Sequence, residues 1–155
     1  MTLLSWALAL LWLQLPLDTL YGLLGRKLES PITEFSGLIP KGTFQRKQWY
    51  RSPQDTMWEG IPLADVRYAF YQNRLHTIQL RVQGKEASAA MLVLLETLFG
   101  KGKQEGYAPR YRWIGQKAVL LYDQNILTQN TEVRLESLVL QRKLEEDLYY
   151  EYNRR

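Results

Sequence analysis

The chain has 155 residues, with 20 Lys and Arg, 16 Asp and Glu and a single His, for a formal charge of +4. That length favours one domain with a core of its own, and 46% apolar against 23% charged residues excludes a disordered chain. The lack of cysteine excludes disulfides, thiolate nucleophiles and cysteine metal sites, and the mild basicity falls short of a nucleic-acid-binding tail.

The first segment, "MTLLSWALALLWLQLPL", runs from Met1 to Leu17 without a charged side chain. Its apolar stretch is shorter than the roughly 20 residues of a bilayer span and suits the core of a secretory signal. The expectation is a signal peptide or a retained N-terminal anchor over 1–17, followed by a single domain over 18–155. The location implied is outside the cytoplasm, periplasmic or secreted.

"TLYGLLGRKL" reads as a strand-like entry punctuated by glycine. "SPITEFSGL" carries Ser30 as a candidate cap, Pro31 at a first helical position and Gly37 as a stop, which predicts one or two helical turns. "TFQRKQWYR" and "MWEGIPL" read as strands around the turn "SPQD". In "ADVRYAFY" the alternation places Val66, Tyr68 and Phe70 on one face. In "LHTIQLRV" it places His76, Ile78, Leu80 and Val82 together. The two faces coincide in a hairpin with a three-residue loop, Gln72-Asn73-Arg74. That register pairs Phe70 with His76, Tyr68 with Ile78, Val66 with Leu80 and Asp65 with Arg81. It puts His76 on the apolar face.

A helix from about residue 86 to 99 follows from Ala87, Ala90, Met91, Leu94, Leu95, Leu98 and Phe99 at three- and four-residue steps, with Gly100 as its stop. "KGKQEGYAP" is a polar loop. "RYRWIGQKAVLLYD" reads as a second hairpin turning at Gly115-Gln116, pairing Trp113 with Ala118 and Tyr111 with Leu120. "TEVRLESLV" alternates as a strand with Val133 and Leu135 inward. "LQRKLEEDLYYEYNRR" spaces Leu144, Leu148 and Tyr152 as a terminal helix. Strand runs interrupted by one strong helix predict an α+β fold: a mainly antiparallel sheet of hairpins, an amphipathic helix packed on it and a C-terminal helix.

The motifs "YAFYQNRLHTI", "LLETLFGKGKQ" and "YRWIGQKAVLLYD" occur in an order that resembles a loose family of small exported proteins of the Bacteroidota. The resemblance spans about residues 20 to 140. It implies export and a shared fold, and it implies no activity and no catalytic residues.

The chemistry-bearing candidates are few. His76 has no local carboxylate or Ser-His-Asp order for general-base work and no companion ligands for a metal, so packing is its expected role. Glu59 and Asp65 are the carboxylates nearest to a glycosidase pair, whose separation the sequence does not give. Glu145, Glu146 and Asp147 sit beside Arg142 and Lys143 and read as a solvated helix face. No nucleotide-binding loop or nucleophile elbow is present, and no cofactor or metal is expected. The interleaved aromatic and basic stretches "RKQWYR" and "RYRW" nominate Trp49, Tyr50, Arg51, Arg110 and Arg112 as a surface for an anionic partner. The sequence thus points first to a non-catalytic exported domain that binds or assembles with an envelope component. The alternative is a polyanion- or glycan-binding module on the aromatic-basic surface, and the third reading a carboxylate-based hydrolase. An envelope protein or an anionic glycan is the partner implied; the charge argues against nucleic acid.

Overall fold

The computed structural model describes residues 17–155, so the predicted leader or anchor, Leu17 excepted, lies outside the described residues. The chain enters through a short helix, α1 (Leu17–Leu20), and a small ribbon, β1 (Gly22–Leu23) and β2 (Arg26–Lys27), with one 3-10 turn at Ile32–Glu34. There follow β3 (Ile39–Phe44), β4 (Lys47–Arg51), β5 (Met57–Trp58), β6 (Ile61–Pro62), β7 (Asp65–Tyr71) and β8 (Arg74–Val82). Helix α2 (Lys85–Phe99) leads to β9 (Lys103–Gln104), β10 (Arg110–Ile114), β11 (Ala118–Gln124), β12 (Thr131–Ser137) and helix α3 (Leu138–Asn153). Eight strands form one antiparallel sheet in the order β3-β4-β7-β8-β12-β11-β10-β9. The fold is α+β, as the hairpin-rich pattern predicts. Among the described residues no helix is long and apolar enough to cross a membrane.

Strand alternation gives the sheet two unlike faces. Val66, Tyr68 and Phe70 of β7, Ile78 and Leu80 of β8, Leu120 and Tyr122 of β11, and Val133 and Leu135 of β12 form the core with Met91 and Leu95 of α2. Helix α2 is pinned to this face by buried polar bonds. Tyr122 donates to the Ser88 carbonyl at 2.8 Å, and Thr131 donates to the Ser88 hydroxyl at 2.7 Å. Gly100 closes the helix at φ 80°, in the left-handed region where glycine carries no Cβ penalty. The buried line of α2 is Ser88, Met91 and Leu95, whereas Ala90, expected in the stripe, is exposed.

The first hairpin departs from the predicted register in one residue. Its turn holds two residues, Gln72 and Asn73, both left-handed at φ 49° and 64°, so Tyr71 pairs with Arg74 and Phe70 with Leu75. A bulge then inserts His76, after which Ala69 pairs with Thr77, Tyr68 with Ile78, Val66 with Leu80 and Asp65 with Arg81. The extra residue that odd counting requires sits in the strand rather than the loop. A bulged residue is free to turn away from its strand's regular alternation, and His76 leaves the core face.

Two predicted strands are themselves hairpins. "TFQRKQWYR" breaks at Gln45 and Arg46, at φ 51° and 63°, and "MWEGIPL" turns at Glu59 and Gly60. The second large hairpin pairs Ile114 with Val119, Trp113 with Leu120 and Tyr111 with Tyr122, two residues off the predicted register. Its four-residue loop exists because Asp18 occupies it. The Asp18 carboxylate accepts from the backbone N–H groups of Gln116 (2.8 Å), Lys117 (2.9 Å) and Ala118 (3.2 Å). Partial burial works against its charge, but these three bonds and nearby Lys117 hold its pKa below the ordinary 3.8. A Cβ on Gly115 would stand 2.2 Å from the same carboxylate, so the loop needs glycine there.

Helix α3 crosses the opposite face near the hairpin tips. Ser137 caps it by accepting from the Leu140 N–H at 3.1 Å. Arg142 donates to the Gln116 carbonyl, Asp147 accepts from Tyr71 and Gln72, and Glu151 pairs with Arg46 at 2.7 Å, so the helix meets three hairpin tips in turn. Asp147 is therefore a docking residue rather than part of a solvated face. Leu140 and Leu144 are buried, while Leu148 and Tyr152 are exposed, so the predicted stripe ends at Leu144.

Candidate functional site

The face away from the core carries the outward positions of β4, β7, β8 and β12. Register aligns them in rows: Arg51, Arg67, Gln79 and Arg134 in one, Trp49, Ala69, Thr77 and Glu136 in the next. Trp49 stands at the end of the second row, paired with Gly42 of β3. The edge strand β3 carries a bulge between Pro40 and Gly42, and bulges bend and twist their strand. Together they bound a groove of about 370 Å³ lined by Lys41, Phe44, Lys47, Trp49, Arg67, Gln79, Arg81, Arg134 and Glu136, among others. That size lies at the small end of ligand pockets.

The lining is cationic: five Lys or Arg side chains against the single carboxylate of Glu136. The arginines are braced by carboxylates of the neighbouring row on the same face. Asp65 binds Arg67 at 2.9 Å and Arg51 at 3.2 Å, and Glu132 binds Arg134 at 2.9 Å. Glu132 also lies 3.7 Å from Arg81. Lys41 and Lys47 have no ion pair among the described residues. Phe44 is exposed, and Trp49 is half-buried with the Lys47 ammonium 5.8 Å from its ring centroid.

His76 lies beneath α3 at the margin of this face, wholly buried. Its Nε2–H donates to the Gln141 amide oxygen at 2.9 Å, and its Nδ1 accepts from the Thr77 hydroxyl at 2.7 Å. Burial first, and then the Lys47 charge, push its pKa down from 6.5 to about 4, so it is neutral at physiological pH. Both ring nitrogens are satisfied by neutral partners, which is the geometry of a packed side chain.

The five aromatic and basic residues nominated from sequence do not share one surface. Trp49 and Arg51 point to the groove face. Tyr50 points to the other, with its ring 5.6 Å from that of Phe70. Arg110 and Arg112 stand on β10, five strands from β4, roughly 24 Å away at about 4.8 Å per strand. There Arg110 pairs with Asp123 at 3.0 Å and Arg112 with Glu105 at 2.8 Å. Trp58 and Glu59 line a separate depression with Leu94 and Leu98 of α2, while Asp65 is engaged by its two arginines. A larger depression of about 830 Å³ lies at the far end of the strands, bounded by Arg81, Arg110, Asp123, Ile126, Leu127 and Glu132. Its arginines face carboxylates on the same rim, so it offers less uncompensated charge than the smaller groove.

Lys41, Lys47, Arg67, Arg81 and Arg134 are the groove residues that sequence reasoning missed. The available signal was an arginine or lysine at outward positions of several alternating strands. No family model matches the chain, and no curated protein or solved structure is significantly similar to it.

Proposed function

We propose that the protein is a non-catalytic exported domain that binds an acidic glycan in the groove on the outer sheet face. The observation that carries this reading is the groove's two lysines, which have no ion pair among the described residues, beside Phe44 and Trp49. Charge recognises the acid, and the aromatic faces accept the apolar side of a sugar ring. The braced arginines are held in place before a ligand arrives, which reduces the ordering cost of binding. A second reading, docking of an envelope protein, draws support from Tyr149, Tyr150 and Tyr152, all more than half exposed on the last turns of α3.

Export rests on the uncharged run up to Leu17. Leu17 is buried and Asp18 holds the loop after β10, so processing that leaves this fold intact must cut before Leu17. Intact mass of the protein recovered from cell-envelope and culture fractions should show an N-terminus at or before that residue. A full-length cytosolic product would contradict export.

Binding is tested by salt elution from immobilised polygalacturonate and heparin. The wild type is expected to be retained at low salt on at least one matrix, and Lys41→Glu combined with Phe44→Ala should elute at distinctly lower salt. Arg112→Glu changes net charge equally but lies across the sheet, and it should elute with the wild type. Equal behaviour of the two charge variants would show retention by net charge alone.

A further inference from the structure

Lysine is rarely buried without a partner, yet Lys47 is only 6% exposed. Among the described residues no carboxylate lies within ion-pair distance of its ammonium, and the side chain lines the groove. Burial lowers its pKa from 10.5; Glu136 and Arg134, both on β12, act on it in opposite senses. Two more side chains of the same groove carry a buried donor with no acceptor among the described residues, the Trp49 indole N–H and the Arg134 Nε–H. Orphaned buried donors are uncommon in native proteins, and each asks for an explanation. Two such donors and one unpaired ammonium border the same groove, and the group that suits the ammonium at its opening is one that only accepts and carries negative charge.

We infer that Lys47 forms, at the floor of the groove, a subsite for a single oxyanion group, a carboxylate or a sulfate, borne by the ligand. This rests on the proposed glycan-binding role and narrows it to a sugar whose acid group enters the groove while Phe44 and Lys41 hold the rim. The buried ammonium is retained at a cost to the empty fold, because an apolar side chain of similar shape would avoid the desolvation. Lys47→Met should therefore be folded, with a Tm no lower than the wild type.

The single histidine provides the reporter. His76 is faced by Lys47 of β4, by its neighbour Thr77 and by Gln141 of α3, whose amide donates to Glu145 at 3.0 Å. An oxyanion that neutralises Lys47 removes a positive charge that disfavours the imidazolium, so the apparent pKa of His76 must rise from about 4. The experiment is an NMR titration with sodium glucuronate and, separately, sodium sulfate, at ionic strength held constant with sodium chloride. The Trp49 indole resonance is assigned through Trp49→Phe. A saturable shift of that resonance with a raised His76 pKa is expected, and Lys47→Met should weaken the affinity at least about tenfold. Lys47→Arg should retain most of it. A response to glucuronate alone assigns a carboxylate, and one to sulfate alone a sulfate ester. Lys47→Met binding as the wild type does would overturn the subsite; if its matrix retention still depends on Lys41 and Phe44, the glycan-binding reading survives. Loss of that retention dependence in the wild-type background removes the glycan-binding reading itself.

Discussion

Leu95→Ala should cost the protein about 2–5 kcal/mol in urea denaturation, the range for a large-to-small change at a buried leucine. Leu95 is fully buried in the middle of α2, one turn from Met91, which is equally buried. It faces a sheet whose β8, β11 and β12 side chains are also inaccessible, so little can collapse into the vacancy. Against a typical total of about 5–15 kcal/mol the loss is large. Val93, on the same helix, is 63% exposed. Val93→Ala should change stability by under about 0.5 kcal/mol, since lost contact is slight and alanine favours the helix. Equal effects from the two variants would mean that α2 is not docked by the Met91–Leu95 line.

The second large effect is a pH dependence set by His76. Its pKa falls from 6.5 to about 4 on folding, so the unfolded chain binds the proton more tightly. Stability from this group is therefore complete above pH 6.5, declines as the pH drops below that value, and levels off near pH 4. The shift corresponds to about 3 kcal/mol at about 1.4 kcal/mol per unit. Asp18 adds loss in the same direction below its ordinary 3.8, as its depressed carboxylate is protonated. His76→Gln removes only the imidazole's part. Urea midpoints measured from pH 7.5 to 4.5 should fall more steeply for the wild type than for the variant. Parallel curves would contradict the burial of a neutral imidazole beside Lys47.

Local pattern made α2 and the strand faces readable. The Met91–Leu95 stripe and the Gly100 stop lie within a few residues of one another, and the alternation of Val66, Tyr68, Ile78 and Leu80 survives any nearby irregularity. The bulge at His76 was not readable, because alternation shows that one odd residue exists without saying whether loop or strand absorbs it. Asn73 tolerates left-handed backbone in either case. Gln45 and Arg46 turn without glycine, asparagine or aspartate, so nothing in "TFQRKQWYR" marks the hairpin inside it. The loop after β10 is shaped by Asp18, about a hundred residues earlier in the chain. The groove was hidden for a similar reason. Trp49, Arg67 and Arg134 belong to strands far apart in sequence, and only the pairing of β4 with β7, β7 with β8 and β8 with β12 lines them up. Arg110 and Arg112 looked equivalent to Arg51 by composition, yet the strand order separates them.

The claim that this groove is the binding surface is tested most directly by mapping amide and indole shifts of the ¹⁵N-labelled protein against an oligogalacturonate and a heparin oligosaccharide. With at least one of them, perturbations are expected to centre on Lys41, Gly42, Phe44, Arg67, Gln79 and Arg134, together with the Trp49 indole. Perturbations centred on the Arg110–Asp123 depression or on Tyr149–Tyr152, or none with either ligand at millimolar concentration, would contradict it.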